Sequence, residues 1–286
     1  MAGHRHYALG PHADDMAQQL LSHVQADGLG QRTYLLVDQA QAWPTPTLSP
    51  VSSVWRKRLE AFPHKWLFEG TFAHAALHLS PVLIDLSSCM EHTGRNIQTI
   101  ERPMQHLPAS SVLITEAPLL DIAQHIQTLF KLEVDSEPMI WRLADTHMLM
   151  AVLSVMTASQ RGQILGPIRH WWLVNHHQEL IDLTRALAHE RSPSFEKISL
   201  SQEQTQALLD YIRPLTLAAQ LRQLEPSFAN ALAHADQIKF AETALRLAEA
   251  EGVDLDEDMV PWALQYWADV GTGSSKKTLT HERLTN

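Results

Sequence analysis

The chain has 286 residues, 45% of them hydrophobic, so folding can bury most of its apolar surface without disulfide or metal staples. Its single cysteine, Cys89, excludes an intrachain disulfide, and the absence of CxxC or Cys/His finger spacing points to a reducing compartment. With 22 Lys and Arg against 32 Asp and Glu, the net charge of −10 argues against a nucleic-acid binder, whose affinity comes from clustered basic side chains.

Asp14 to Val24 places Met16, Leu20, Leu21 and Val24 at helical spacing, with Gly28 and Gly30 beyond its end. Thr33 to Asp38 (TYLLVD) reads as a strand, and the proline-bearing stretch 39–53 as a surface loop. Trp66-Leu-Phe68 is a second short apolar run. Phe72 to Leu79 reads as a helix stopped by Ser80-Pro81. Val82 to Leu86 is a strand apolar on both faces, which places it inside a covered sheet. Periodicity is lost from Ser87 to Pro108, where a long loop is expected. Ser111 to Thr115 is a fourth strand. Pro118 then opens a helix with the stripe Leu119, Ile122, Ala123, Ile126, Leu129 and Phe130. Pro138 to Leu143 is a fifth strand, its proline placed where an edge strand admits one. Asp145 to Ala158 is a strongly apolar, buried helix.

After Gly166-Pro167 and Trp171-Trp172 the texture changes, and strand signals disappear from about Glu179 onward. Helices are expected at 179–190, 201–212, 215–224, 228–235, 237–251 and 256–270. Ser201 with Gln204 has the form of a capping box, and Gly252 and Gly271 stand at helix ends. The fold class is therefore an α/β N-terminal lobe with a central mixed sheet, followed by an all-α helical lobe. The division is 1–175, 176–271 and a flexible tail, 272–286. The polar start and the pair Asp14-Asp15 leave no room for a signal peptide, and the best apolar run, Met148 to Met156, is far shorter than the roughly 20 residues of a membrane span. A cytoplasmic protein with no membrane partner is expected.

The 17 histidines suggest a metal site, but spacing argues against one. His74 and His78 share a helical face, yet Ala75-Ala76 replaces the glutamate of an HExxH helix. No GxSxG, P-loop or GxGxxG is present, so no catalytic residue, cofactor or metal is assigned. Between Glu242 and Asp258 stand seven acidic residues against one basic, Arg246. Acidic residues in a first turn favour the helix dipole, and Asp254, Asp256 and Asp258 are also candidates for docking a basic partner. Tryptophan anchors both cores and interfaces, which makes Trp66, Trp141, Trp171 and Trp172 candidate contact residues.

In order along the chain come Tyr34-Leu-Leu-Val-Asp38, Trp66-Leu-Phe-Glu-Gly-Thr71, Ser80-Pro-Val-Leu-Ile-Asp-Leu86, Trp141-Arg-Leu-Ala-Asp145 and Leu165-Gly-Pro-Ile-Arg-His-Trp171. This ordered set, from Thr33 to Trp172, resembles the effector-adaptor chaperones of bacterial type VI secretion, long catalogued as a domain of unknown function. The resemblance implies a non-enzymatic protein that binds a toxin effector in the cytoplasm and helps mount it on the VgrG spike. It adds Arg142 and Asp145 to the candidate protein-binding residues. The chain departs from the family pattern in two places: Thr146-His147 stands where the family has Pro-Arg after the aspartate, and Val82 stands for a tyrosine. The residues also leave open a metal-dependent hydrolase using the histidines, or a helical scaffold or regulatory protein.

Overall fold

The computed structural model describes residues 31–38, 59, 62–87, 110–134, 137–176, 179–187, 198–254 and 256–271. The expected helix at 14–24, the loop at 39–53, nearly all of that at 87–108, the tail and Cys89 lie outside the described residues. The chain divides into two compact units, Met1–Gln206 and Ala207–Asn286.

The first unit is built on β1 (Arg32–Val37), β2 (His64–Trp66), β3 (Val82–Asp85), β4 (Ser110–Thr115), β7 (Ile168–Val174) and β8 (Leu180–Asp182). They form one sheet in the order β2-β3-β1-β4-β7-β8, with every neighbouring pair antiparallel. Mixed pairing occurs in a second, three-stranded sheet. There β5 (Lys131–Val134) runs antiparallel to β6 (Glu137–Ile140) and parallel to β9 (Ile198–Leu200).

Register explains why the apolar runs assemble this way. Leu35 lies opposite Ile84 on one side and Val112 on the other, and Val112 lies opposite Trp172. These four residues make one row across the sheet and belong to a single buried cluster with Val37, Leu59 and Val82. Each such side chain contributes about 1.5–3 kcal/mol on burial. On the opposite face, Tyr34 pairs with Leu113, and Leu113 with Trp171. With β3 and β4 buried throughout, both faces are covered.

Helix α1 (Leu119–Leu129) buries Ile122, Ala123, Ile126 and Leu129, the stripe expected from the sequence. The apolar helix after Asp145 ends earlier than expected. It forms α2 (Thr146–Val155), and a separate α3 (Ala158–Leu165) starts at a capping box in which Thr157 and Gln160 satisfy each other's backbone N–H. The expected helix at 72–79 is a 3₁₀ helix, His74–Leu79, kinked at Ala76 and with no buried residue to anchor it. β6 stops at Ile140, short of the expected 143, and is an edge strand.

Strand structure does not end at Glu179. Residues 180–182 form β8 against β7, and 198–200 form β9. The helix expected over 179–190 shrinks to α4 (Leu183–Ala186), capped by Asp182. All-helical structure begins with α5 (Gln202–Leu224) and continues through α6 (Pro226–Ala231), α7 (His234–Ala250) and α8 (Met259–Gly271). Two expected helices fuse in α5, which continues through Pro214. The Ser201–Gln204 capping box forms at its start, with reciprocal bonds of 3.2 and 3.0 Å. The second unit's core sets Leu217, Leu221, Phe228 and Ile238 against the small residues Ala241, Ala244, Ala248 and Ala263. Gly252 closes α7 at φ +74°, the left-handed region that glycine tolerates. Among the described residues, no helix is long and apolar enough to cross a membrane.

Candidate functional site

The candidate residues Trp141, Arg142 and Asp145 lie on the turn that leaves β6 and enters α2. The backbone there folds back on itself through Leu143 N–H to Trp141 O (2.9 Å) and Asp145 N–H to Arg142 O (2.9 Å). This brings Arg142 Nη2 to 2.8 Å from Oδ2 of Asp38, the residue just after β1. The Asp38 side chain is 3% exposed and that of Arg142 is 48% exposed, so the pair joins a buried carboxylate to a half-exposed guanidinium.

Asp145 is buried, and its Oδ1 accepts the backbone N–H groups of His147 (3.1 Å) and Met148 (3.2 Å), which caps α2. Burial raises its pKa above the ordinary carboxylate value. The Met148 N–H and the nearby Arg142 charge oppose that rise, and the Asp38 charge adds to it. No arginine follows Asp145, and the nearby guanidinium comes instead from Arg142, three residues upstream.

The tryptophans separate by burial. Trp171 is 0% exposed and donates its indole N–H to Ser111 Oγ at 2.9 Å. Trp172 and Trp141 are also buried, and Trp172 stacks with His170 at 6.4 Å. In this conformation these three indoles are core residues. Trp66 is half-buried, packs against the cluster around Leu35, and meets the His64 ring edge-on at 5.8 Å.

Asp254, Asp256 and Asp258 lie in the second unit, on the turn between α7 and α8, and all three are exposed. Asp254 has a structural task there, since its Oδ1 accepts the N–H groups of Asp256 (2.9 Å) and Glu257 (3.3 Å). Asp256 lies 3.4 Å from Arg213. Beside the turn stands Trp262, whose indole N–H donates to Glu251 Oε2 at 3.2 Å.

Sequence reasoning missed two features. Asp38 closes a strand and a motif in the sequence, and a carboxylate at the end of a mostly apolar run signals a buried charge in need of a partner. His170 and Asp182 were not paired, yet Nδ1 and Oδ2 lie 2.6 Å apart, both residues are buried, and the bond joins β7 to β8. Asp182 also accepts the Thr184 N–H at 3.1 Å. The carboxylate thereby orients the imidazole and caps α4. Among the described residues, no group of three or more His, Cys, Asp or Glu is arranged to hold a metal ion.

The fold and these residues describe a chain with an antiparallel-sheet unit braced by the Asp38–Arg142 pair, and a helical unit with an acidic turn. Residues 33–163 match a family model described as "Domain of unknown function (DUF4123)". The match covers somewhat under half of the chain, from the start of β1 into α3. No curated protein and no solved structure matches the chain.

Proposed function

We propose that this protein is a non-enzymatic adaptor-chaperone. It binds a toxin effector in the bacterial cytoplasm and helps load it onto the VgrG spike of a type VI secretion system. The reading is carried by the ordered motifs between Thr33 and Trp172, which resemble the effector adaptors and overlap the family match over residues 33–163. The Asp38–Arg142–Asp145 cluster supports it, because it fastens two of those motifs, Tyr34 to Asp38 and Trp141 to Asp145, to one another. Such an adaptor works by presenting surfaces, and its specificity lies in which partner surfaces complement them. Co-purification of the tagged full chain with a toxin effector and a VgrG protein from its own cell tests this reading. A complex containing both partners is expected; failure to retain either one overturns it.

A further inference from the structure

The first unit leaves an apolar stretch in water. From Gly70 to Ile84 the chain carries no Asp, Glu, Lys or Arg, and the 3₁₀ helix within it, His74–Leu79, buries none of its residues. Phe72 is 51% exposed, and Leu77 and Leu79 are exposed as well. Lys131 of β5 holds its ammonium 4.9 Å from the centre of the Phe72 ring. Opposite Lys131 in the register stands Ile140 of β6, 48% exposed. Cross-strand partners share a sheet face, so Phe72, Lys131 and Ile140 make one continuous surface.

The charge at its centre is opposite to that of the chain, whose net value is −10. Lys131 is exposed, and Arg142 stands half-exposed just beyond the buried Trp141. Arg142 is engaged by Asp38, whereas among the described residues no carboxylate pairs with Lys131. The acidic side chains of the neighbouring segments are committed or set apart. Glu69 is held by Lys65 at 2.6 Å, Glu133 is half-buried two residues along β5, and Glu137 lies opposite Val134 at the far end of β6.

We propose that the Phe72–Lys131–Ile140 surface docks a segment of a partner protein in which apolar side chains flank a carboxylate. The apolar side chains cover the exposed parts of Phe72 and Ile140, and the carboxylate meets the Lys131 ammonium between them. Removing this site from water strengthens that ion pair, because the ring beneath the ammonium is apolar and offers the charge only its quadrupole. A neutral apolar partner would leave Lys131 desolvated without compensation, and a basic one would be repelled. A second copy meeting this face about a two-fold axis would bring two Lys131 charges together. The inference stands on these residues alone and does not depend on the secretion reading.

The test is fluorescence anisotropy of the full chain with a short labelled peptide in which glutamate alternates with leucine. One control peptide has lysine in place of glutamate, and a second has serine in place of leucine. Binding of the glutamate–leucine peptide alone is expected. Phe72→Ser/Ile140→Ser should weaken it about tenfold, through lost apolar contact. Lys131→Gln should weaken it about threefold and remove its salt dependence, and this change of one exposed side chain covers the case in which the double variant fails to fold. Leu120→Ser, at the opposite end of α1 from Lys131, should leave the affinity unchanged. Equal affinity for either control peptide, or an unchanged affinity in both surface variants, overturns the proposal. So does concentration-dependent dimerisation that Phe72→Ser/Ile140→Ser abolishes, since the face would then belong to a second copy.

Discussion

Arg142 and Asp38 stand 104 positions apart in the chain and meet at 2.8 Å, tying the turn before α2 to the end of β1. Because Asp38 is buried, its charge depends on protein partners rather than on water. Arg142→Ala is expected to lower stability by about 1–2 kcal/mol, at the modest end for a charged hydrogen bond because the guanidinium is half-exposed. Arg142→Lys should recover part of the loss. Urea denaturation measures both, and an unchanged midpoint for the alanine variant would contradict the bracing role.

Asp145 separates capping from charge. Asp145→Ala leaves two N–H groups at the start of α2 without their acceptor and should cost about 1 kcal/mol. Asp145→Asn keeps an acceptor oxygen and should cost much less. The folded state holds the Asp145 proton more tightly than the unfolded state does, since burial raises the pKa. Its contribution is therefore full below the ordinary carboxylate pKa and is lost as pH rises through the raised value. The asparagine variant should lack that part of the acid-range dependence in melting curves taken across pH.

Tyr34 makes the corresponding prediction in alkali. Burial first, and then the charge of Asp85, push its pKa up to about 12, and its hydroxyl donates to Ala117 O at 2.9 Å. Stability should fall as pH rises from about 10 to about 12, where the unfolded chain gives up this proton and the folded one still keeps it. Tyr34→Phe should cost about 1 kcal/mol at neutral pH, because the carbonyl loses its donor, and should flatten the alkaline slope. An ultraviolet titration showing Tyr34 ionised near pH 10 would exclude this environment.

Gly166 ends α3 at φ +40°, and a Cβ built there would lie 2.5 Å from Cε1 of His125. The ring has little freedom to move, because its Nε2 lies 2.9 Å from Ile164 O. Gly166→Ala therefore combines backbone strain with a steric clash, and a loss of about 1–3 kcal/mol is expected. The melting temperature should drop by several degrees; an unchanged value would mean that the loop relaxes at no cost.

The legible parts of this fold carry their own periodicity. β1, β3, β4 and α1 could be read from apolar runs and a 3-4-3-4 stripe that needs no distant partner. β7 escaped because Arg169 and His170 interrupt its apolar run, although His170 is buried in the fold. β8 and β9 span three residues each, too few to establish a period, and they exist through pairing with β7 and β5. The candidate site was half legible for the same reason. The residue types at Arg142 and Asp145 could be read, whereas the meeting with Asp38 depends on register between distant segments. Composition also could not sort the tryptophans, since an indole suits a core and an interface equally well. Only burial distinguishes Trp171, closed in the sheet, from Trp262, half-open beside the acidic turn.

The central claim is adaptor function, and effector secretion in a strain lacking this gene tests it most directly. If the protein is an adaptor, one toxin effector stays inside the mutant cell while the secretion apparatus still exports its other cargo, and supplying the full chain restores export. Wild-type secretion of that toxin from the mutant would contradict it.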